Sequence, residues 1–230
     1  MPVAVDMIPY ALPSRDSAWQ RQRGLALLGE MTGRRSCRCF SDAPIDPEVL
    51  RLALEIAHSA PSGANRKPWR FVVVEDPALK KQIRLAAEAE ERESYNHRMP
   101  RQWLDALEPI GTNWEKPFLE IAPVLVVIFR IDWEMDGDER VKNYYPAESA
   151  GLACGFFLMA CHMLGLATLT HTPSPMKFLS RILGRPAGEK PYLLIPVGYP
   201  AADCTVPDLR KKPLSEALRW NRSTREAASG

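Results

Sequence analysis

The chain has 230 residues, 46% of them apolar and 25% charged, with a formal net charge of +2 at pH 7. That length supports one good hydrophobic core and no composition shift marks a linker, so a single domain is expected. Lysines and arginines are interleaved with acids along the chain, which excludes the concentrated basic footprint of a nucleic-acid or membrane-surface binder.

In chain order, the first ~30 residues read as an irregular arm and one amphipathic helix from Ser17 to Met31 with apolar Trp19, Leu25, Leu27 and Leu28. The arm has prolines and Asp6 inside its apolar part and no basic leader, so the cytoplasm is the expected compartment. RRSCRCF, Arg34 to Phe40, follows in extended form, and Asp46-Pro47-Glu48 then supplies the N-cap and first turn of a helix running to Ala60. Pro61-Ser62-Gly63 breaks that helix. WRFVVVE, Trp69 to Glu75, is a strand, and Pro77 opens a helix leading into a helical, insertion-like lid at about 88–116. A short helix after Lys116 precedes VLVVIFRI, Val124 to Ile131, whose unbroken apolar run predicts a strand covered on both faces. Asp132 to Lys142 reads as a polar, mobile loop. A core helix runs from Pro146 to Leu164 with Gly165 ending it, and its small and polar residues argue against a membrane span. Leu166 to His171 is a third strand, Met176 to Leu183 a short helix and Pro191 to Tyr199 a fourth strand. The proline-rich stretch from Asp203 to Leu214 is extended with no core of its own, which points to another subunit as its support. Residues 221–230 read as a disordered tail.

Two clusters carry chemistry. No glycine-rich phosphate loop occurs, so any phosphorylated cofactor must be held by side chains. In an extended RRSCRCF, Arg34, Ser36 and Arg38 share one face and can clamp a phosphomonoester through charge-assisted hydrogen bonds, although the same residues also fit a basic surface turn. In the lid, Glu91 and Tyr95 stand four residues apart on one helical face, with Lys116 beyond the Gly111 break. A carboxylate, a phenol and an ammonium can grip an amino acid zwitterion; the bland reading is a solvated helix face. The five cysteines and four histidines show no metal-ligand spacing, so no metal is expected and the thiols are read as reduced and structural.

Together RRSCRCF, the APSGANRKPWRFVVVEDP run, EERESYNHRM, TNWEK, ATLTHTP, LGRPAGEKPYLLIPVGYP and TVPDLRKKPL resemble the iodotyrosine deiodinase branch of the nitroreductase superfamily, in that order over about four fifths of the chain. The resemblance implies an α+β sandwich, a mixed, mostly antiparallel sheet flanked by helices, assembled as an intertwined homodimer with FMN at the interface. Residues 1–33 become an N-terminal arm and helix and 34–220 the FMN-binding domain, with 203–214 gripping the partner. By the resemblance Arg34, Arg35, Ser36 and Arg38 contact the FMN phosphate and ribityl chain, and Cys37 contributes backbone. Pro61, Ser62 and Gly63 fall where the family lies against the flavin ring, and Ala64 where it meets the substrate phenolate. Thr170, His171 and Thr172 match a threonine run whose first hydroxyl bonds flavin N5, which makes Thr170 the implied catalytic residue. Glu91, Tyr95 and Lys116 match the groups that hold the zwitterion of iodotyrosine. His171 departs from a further Thr in the eukaryotic pattern, and Lys211 stands where the family has Arg near the phosphate, a place Arg210 could also fill. No amino-terminal membrane anchor like that of the animal enzymes is expected, and the resemblance is to a soluble bacterial form.

The function implied is FMN-dependent reductive dehalogenation of halotyrosine, with electrons from NAD(P)H directly or through a flavin or ferredoxin-type reductase. A general NAD(P)H-dependent nitro or quinone reductase needs no zwitterion clamp and is the competing enzyme reading. A flavin or halotyrosine binding module is the non-enzyme one.

Overall fold

The computed structural model describes residues 6–221. Its centre is a four-stranded antiparallel sheet in the order β1-β2-β6-β5, formed by β1 (Trp69–Val74), β2 (Val124–Ile131), β6 (Glu189–Gly198) and the short β5 (Ala167–Thr168). Ser36 adds a parallel bridge to Thr168, so the sheet is mixed but mostly antiparallel. The expected α+β sandwich is the architecture found.

Side-chain alternation along β2 explains the two layers. Leu125, Val127 and Phe129 face one side, where they pack with Ile83 and Ala87 of α3 (Pro77–Glu93), Phe118 and Leu119 of α5 (Phe118–Ile121) and Phe178 and Leu179 of α7 (Lys177–Ile182). Val124, Val126 and Ile128 face the other, against Leu50, Ala53 and Ala57 of α2 (Pro47–His58) and Phe157, Ala160 and Cys161 of α6 (Pro146–Met163). With both faces covered, an unbroken apolar run is what such a strand requires, and each large side chain buried there contributes roughly 1.5–3 kcal/mol. Helix starts follow their caps. Asp46 accepts from the Glu48 amide at 2.8 Å and Asp76 from the Ala78 amide at 2.7 Å, each followed by proline in the first turn.

Two expectations change. Asp132 to Lys142 is a hairpin of β3 (Trp133–Asp136) and β4 (Glu139–Lys142), not a mobile loop. Gly137 adopts φ +59° in its two-residue turn, and the Arg140 guanidinium lies 4.5 Å from the Trp133 ring centroid. The third strand is shorter than Leu166–His171: the ladder stops after Thr168 and resumes at a bridge between His171 and Leu194. The interruption leaves Thr170 exposed on the cavity side between two buried neighbours, Leu169 and His171. The stretch after Asp203 also touches its own chain, where the Pro207 carbonyl accepts from Arg35 and Lys211 Nζ donates to the Thr32 carbonyl at 3.2 Å.

Helix α1 (Ser17–Thr32) forms as expected, with Asp16 accepting from the Trp19 amide at 2.8 Å, but it buries none of its residues in this chain. Trp19, Leu25 and Leu28 stay exposed, as do Met7, Ile8, Tyr10 and Leu12 of the arm. Two further helices are short, α4 (Arg101–Leu107) in the lid and α8 (Leu214–Ala217) near the end. No helix among the described residues is long and apolar enough to cross a membrane. The tail expected to be disordered lies, after residue 221, outside the described residues.

Candidate active site

The lid is built on the end of α3. Glu91 sits on its last turn, and the chain then widens into a π-helical turn, Ser94–Arg98, that carries Tyr95. Such turns insert a residue into a helix and are frequent at functional sites. After α4, Gly111 at φ +66° reverses the chain and Lys116 returns beneath α3. Its position is set by backbone: the Lys116 amide donates to Glu88 Oε1 at 2.7 Å, and that carboxylate is held by Arg84 at 2.8 Å. Lys116 Nζ then lies 3.5 Å from Glu91 Oε2 and donates to Thr112 Oγ1 at 3.4 Å and to the Asn113 carbonyl. Tyr95 donates its hydroxyl to the Thr112 carbonyl at 3.3 Å. The sequence placed these three on one lid, and the structure brings them into one cavity.

That cavity, about 470 Å³, also takes in Arg38, Phe118, Thr170, His171 and Thr172. Burial lowers the affinity of Lys116 for its proton, opposed by Glu91. Burial likewise pushes the Tyr95 phenol up, with Glu91 adding to it. His171 stands edge-on to Phe118, ring centroids 5.8 Å apart, and its Nε2 is buried with no hydrogen-bond partner. Burial first, and then the charges of Lys116 and Arg38, push its pKa down to about 3, so the ring is neutral at physiological pH. A buried nitrogen beside a cavity and without a protein partner can exchange a hydrogen bond with water or with a bound group.

Arg38 continues into a second cavity of about 440 Å³ with Ser36, the lid residues 108–111 and Thr205 to Pro207. A third of about 190 Å³ is walled by Arg34, Arg35, Ser36, Arg38 and Lys211, with Arg210 absent from the wall. The extended segment thus presents several cations to one hollow, a donor set suited to a phosphomonoester. The backbone contribution expected of Cys37 is limited on its donor side, since its amide donates to the Thr168 carbonyl at 3.0 Å. Its sulfur turns into the core 3.7 Å from Cys204 Sγ, and burial pushes the thiol up to about 11.

Pro61, Ser62, Gly63 and Ala64 lie elsewhere in the chain. The Gly63 amide donates to Ser149 Oγ at 3.2 Å, and Ser62 Oγ accepts from the Lys67 amide at 2.9 Å. Ala64, Asn65 and Lys67 hold φ of 48°, 53° and 50°, a strained run of the kind concentrated at functional sites. A Cβ on Gly63 would meet Tyr144 at 2.7 Å, so only glycine fits there. None of this loop lines the cavity of Thr170 and Lys116 in its own chain.

The nitroreductase family model matches residues 31–199, and curated relatives named iodotyrosine deiodinase align along nearly all of the chain. The chain belongs to the nitroreductase family, among the iodotyrosine deiodinases. An iodotyrosine deiodinase of Haliscomenobacter hydrossis is 52% identical over 207 residues, 89% of this chain and 93% of that protein. Iodotyrosine deiodinase 1 of Homo sapiens is 40% identical over 220 residues, 93% of this chain and 75% of that protein. A solved structure of oxidised iodotyrosine deiodinase bound to FMN and 3-iodo-L-tyrosine superimposes with a TM-score of 0.73 at 32% identity, covering 86% of this chain and all of that one.

The sequence reading of this nitroreductase missed Thr112, Phe118, Ser94 and Arg98. Ser94 and Arg98 follow Glu91 at three and seven residues, so helical spacing carried a signal for both. Both donate to the Ser174 carbonyl, Arg98 at 3.1 Å and Ser94 at 3.3 Å, and fasten the lid to the segment after Thr172. Thr112 and Phe118 had no such signal, since the turn that places them is made by long-range contacts.

Proposed function

We propose that this protein removes halide reductively from halotyrosine with FMN as its cofactor. The single observation that carries the reading is the convergence of Glu91, Tyr95 and Lys116 on the cavity that Thr170 and His171 share. The residues fit FMN: the hollow of Arg34, Arg35, Ser36, Arg38 and Lys211 suits its phosphate, and the orphaned Nε2 of His171 and the exposed Thr170 stand ready on the cavity wall. Bound FMN supplies the electrons that replace a carbon–halogen bond with a carbon–hydrogen bond.

The chain's own groups do the rest. Glu91 receives the substrate ammonium and Lys116 its carboxylate, while Tyr95 walls the pocket beside them. The lid excludes water, fastened by Ser94 and Arg98 to the Ser174 carbonyl, so substrate binding and assembly of the site are one event. Thr170 offers a hydroxyl to the flavin nitrogen that changes protonation during electron transfer.

The working unit in this proposal is a homodimer. Support comes from the apolar side chains that α1 and the arm leave exposed, and from the Ser62–Ala64 loop, which is strained yet contributes nothing to its own chain's cavity. Across a dimer the partner's Ser62, Gly63 and Ala64 complete the flavin and phenolate side. The electron donor belongs to the same proposal as NAD(P)H or a reductase, in a cytoplasmic setting. The test is anaerobic incubation of the reduced, FMN-loaded protein with diiodotyrosine and chromatography of the products. Monoiodotyrosine and tyrosine are expected; intact substrate, with nitroaromatics still reduced by NAD(P)H, would transfer the protein to the general nitroreductases.

A further inference from the structure

Three of the five cysteines gather at the edge of the phosphate hollow. The extended segment that carries the arginines runs antiparallel to residues 199–201, with Ser41 donating to the Tyr199 carbonyl at 2.9 Å and Ala201 to the Cys39 carbonyl at 3.0 Å. A turn closed by the Cys204 amide on the Ala201 carbonyl, at 3.0 Å, then folds Cys204 back onto that segment. Its sulfur comes to rest 3.7 Å from Cys37 Sγ, in van der Waals contact. The third thiol, Cys39, has its sulfur 4.0 Å from Asp203 Oδ1. Cys154 and Cys161 belong to the other layer, buried on α6 against the opposite face of the sheet.

The two touching thiols differ in reach. Cys204 is half-buried, whereas Cys37 is buried, and burial pushes its thiol up to about 11. Both residues line a hollow of about 340 Å³ beside Gly165 to Thr168, a route for a small oxidant. Their chain neighbours are the walls of the cofactor site. Ser36 and Arg38 flank Cys37, and Val206, Pro207 and Lys211 follow Cys204. Hydrogen bonds from Arg35 to the Pro207 carbonyl and from Lys211 Nζ to the Thr32 carbonyl, the latter at 3.2 Å, hold this tail in place. Such bonds exchange readily with water, so the tail can part from the hollow and return.

We infer that Cys37 and Cys204 form a reversible disulfide that latches residues 203–211 against the phosphate hollow and slows the release of FMN. The oxidant is hydrogen peroxide. Cys204 Sγ attacks one peroxide oxygen, the O–O bond breaks, and the hydroxide released takes up the Cys204 proton as water. Cys37 Sγ then attacks the sulfenic sulfur on Cys204 and forms the S–S bond. The hydroxide expelled in that step leaves with the Cys37 proton as a second water. The thiols lose two electrons and the peroxide gains them. The sulfurs need close only from 3.7 Å to about 2.05 Å. Once joined, they anchor the root of the tail beside Ser36 and Arg38, and the wall of Val206, Pro207 and Lys211 is ordered before the cofactor arrives. This inference rests on the FMN reading of the hollow.

The experiment treats the FMN-loaded protein with hydrogen peroxide and follows three quantities: free thiols after denaturation, disulfide-linked peptides by mass spectrometry without reduction, and flavin released on dilution. Free thiols should fall from five to three, with Cys37 linked to Cys204. FMN release should slow by about tenfold, and dithiothreitol should restore both the thiols and the original rate. Cys204→Ser should release FMN as the reduced protein does and show no slowing after peroxide. A Cys39–Cys204 link, a link between two chains, Cys204 oxidised without a partner, or a Cys37–Cys204 link with unchanged release would each overturn the inference and leave the cofactor reading intact. Protein that takes up no FMN in either thiol state would overturn both.

Discussion

Replacing His171 with Asn removes one proton site whose effect on stability can be worked out in advance. In the folded protein burial holds the imidazole near a pKa of about 3 against an ordinary 6.5, so below pH 6.5 the unfolded chain binds a proton that the folded one refuses. The sign follows: the unfolded state binds more protons, and stability falls as pH falls, from about 6.5 downward until the folded pKa is reached. Near pH 4.5, two units below the unfolded pKa, the loss through this residue alone is roughly 3 kcal/mol, at 1.36 kcal/mol per unit. That figure requires only that the folded pKa lie below 4.5. Urea denaturation midpoints at pH 7.5 and 4.5, converted to free energies for the unmodified chain and for His171→Asn, isolate the effect, since the other titrating groups are common to both. The variant should lose roughly 3 kcal/mol less between the two conditions, whatever the substitution does to stability at neutral pH. Equal losses would mean that the ring accepts a proton in the folded state, and the argument for a neutral, desolvated imidazole on the cavity wall would fail.

Glu91→Gln keeps the size of the jaw and removes its charge, so the halotyrosine dissociation constant should rise about 10- to 100-fold with FMN retained, read by titration and by flavin absorbance after gel filtration. Arg38→Ala opens the boundary that all three cavities share and should weaken FMN at least tenfold, whereas Lys211→Ala, whose ammonium also reaches the Thr32 carbonyl, should change it less; fluorescence titration of the apoprotein separates them. In native protein at neutral pH iodoacetamide should modify Cys39 and Cys204 before Cys154 and Cys161, whose thiols burial pushes up to about 12; peptide mapping with time gives the order.

The fold was largely legible because its signals are local. The β2 run, the Asp-Pro caps of α2 and α3 and the Gly165 stop are short-range patterns, and each element forms within a residue or two of where those patterns put it. The β3–β4 hairpin was not legible, because Trp133, Met135 and Val141 are thin apolar markers among charged residues, and the pairing is decided by the turn at Gly137 and by attachment of Asp132 to Gly188. Nor could the sequence show that α1 would leave Leu25 and Leu28 exposed, which depends on what packs beside it.

For the site, residue type and spacing alone determined the chemistry on offer: cations at Arg34, Arg35 and Arg38 for an anion, and Glu91, Tyr95 and Lys116 for a zwitterion. Only the tertiary structure decided how those groups meet. Lys116 reaches Glu91 because Glu88, fixed by Arg84, captures its amide from across the lid. Thr170 faces the cavity because the strand pairing lapses between Thr168 and His171. The Cys37 N–H is engaged because the Thr168 carbonyl, 131 residues away, accepts it. Each of these outcomes turns on whether a hydrogen bond or ion pair forms between residues distant in sequence, and local propensity holds no information about which distant partner a group will find.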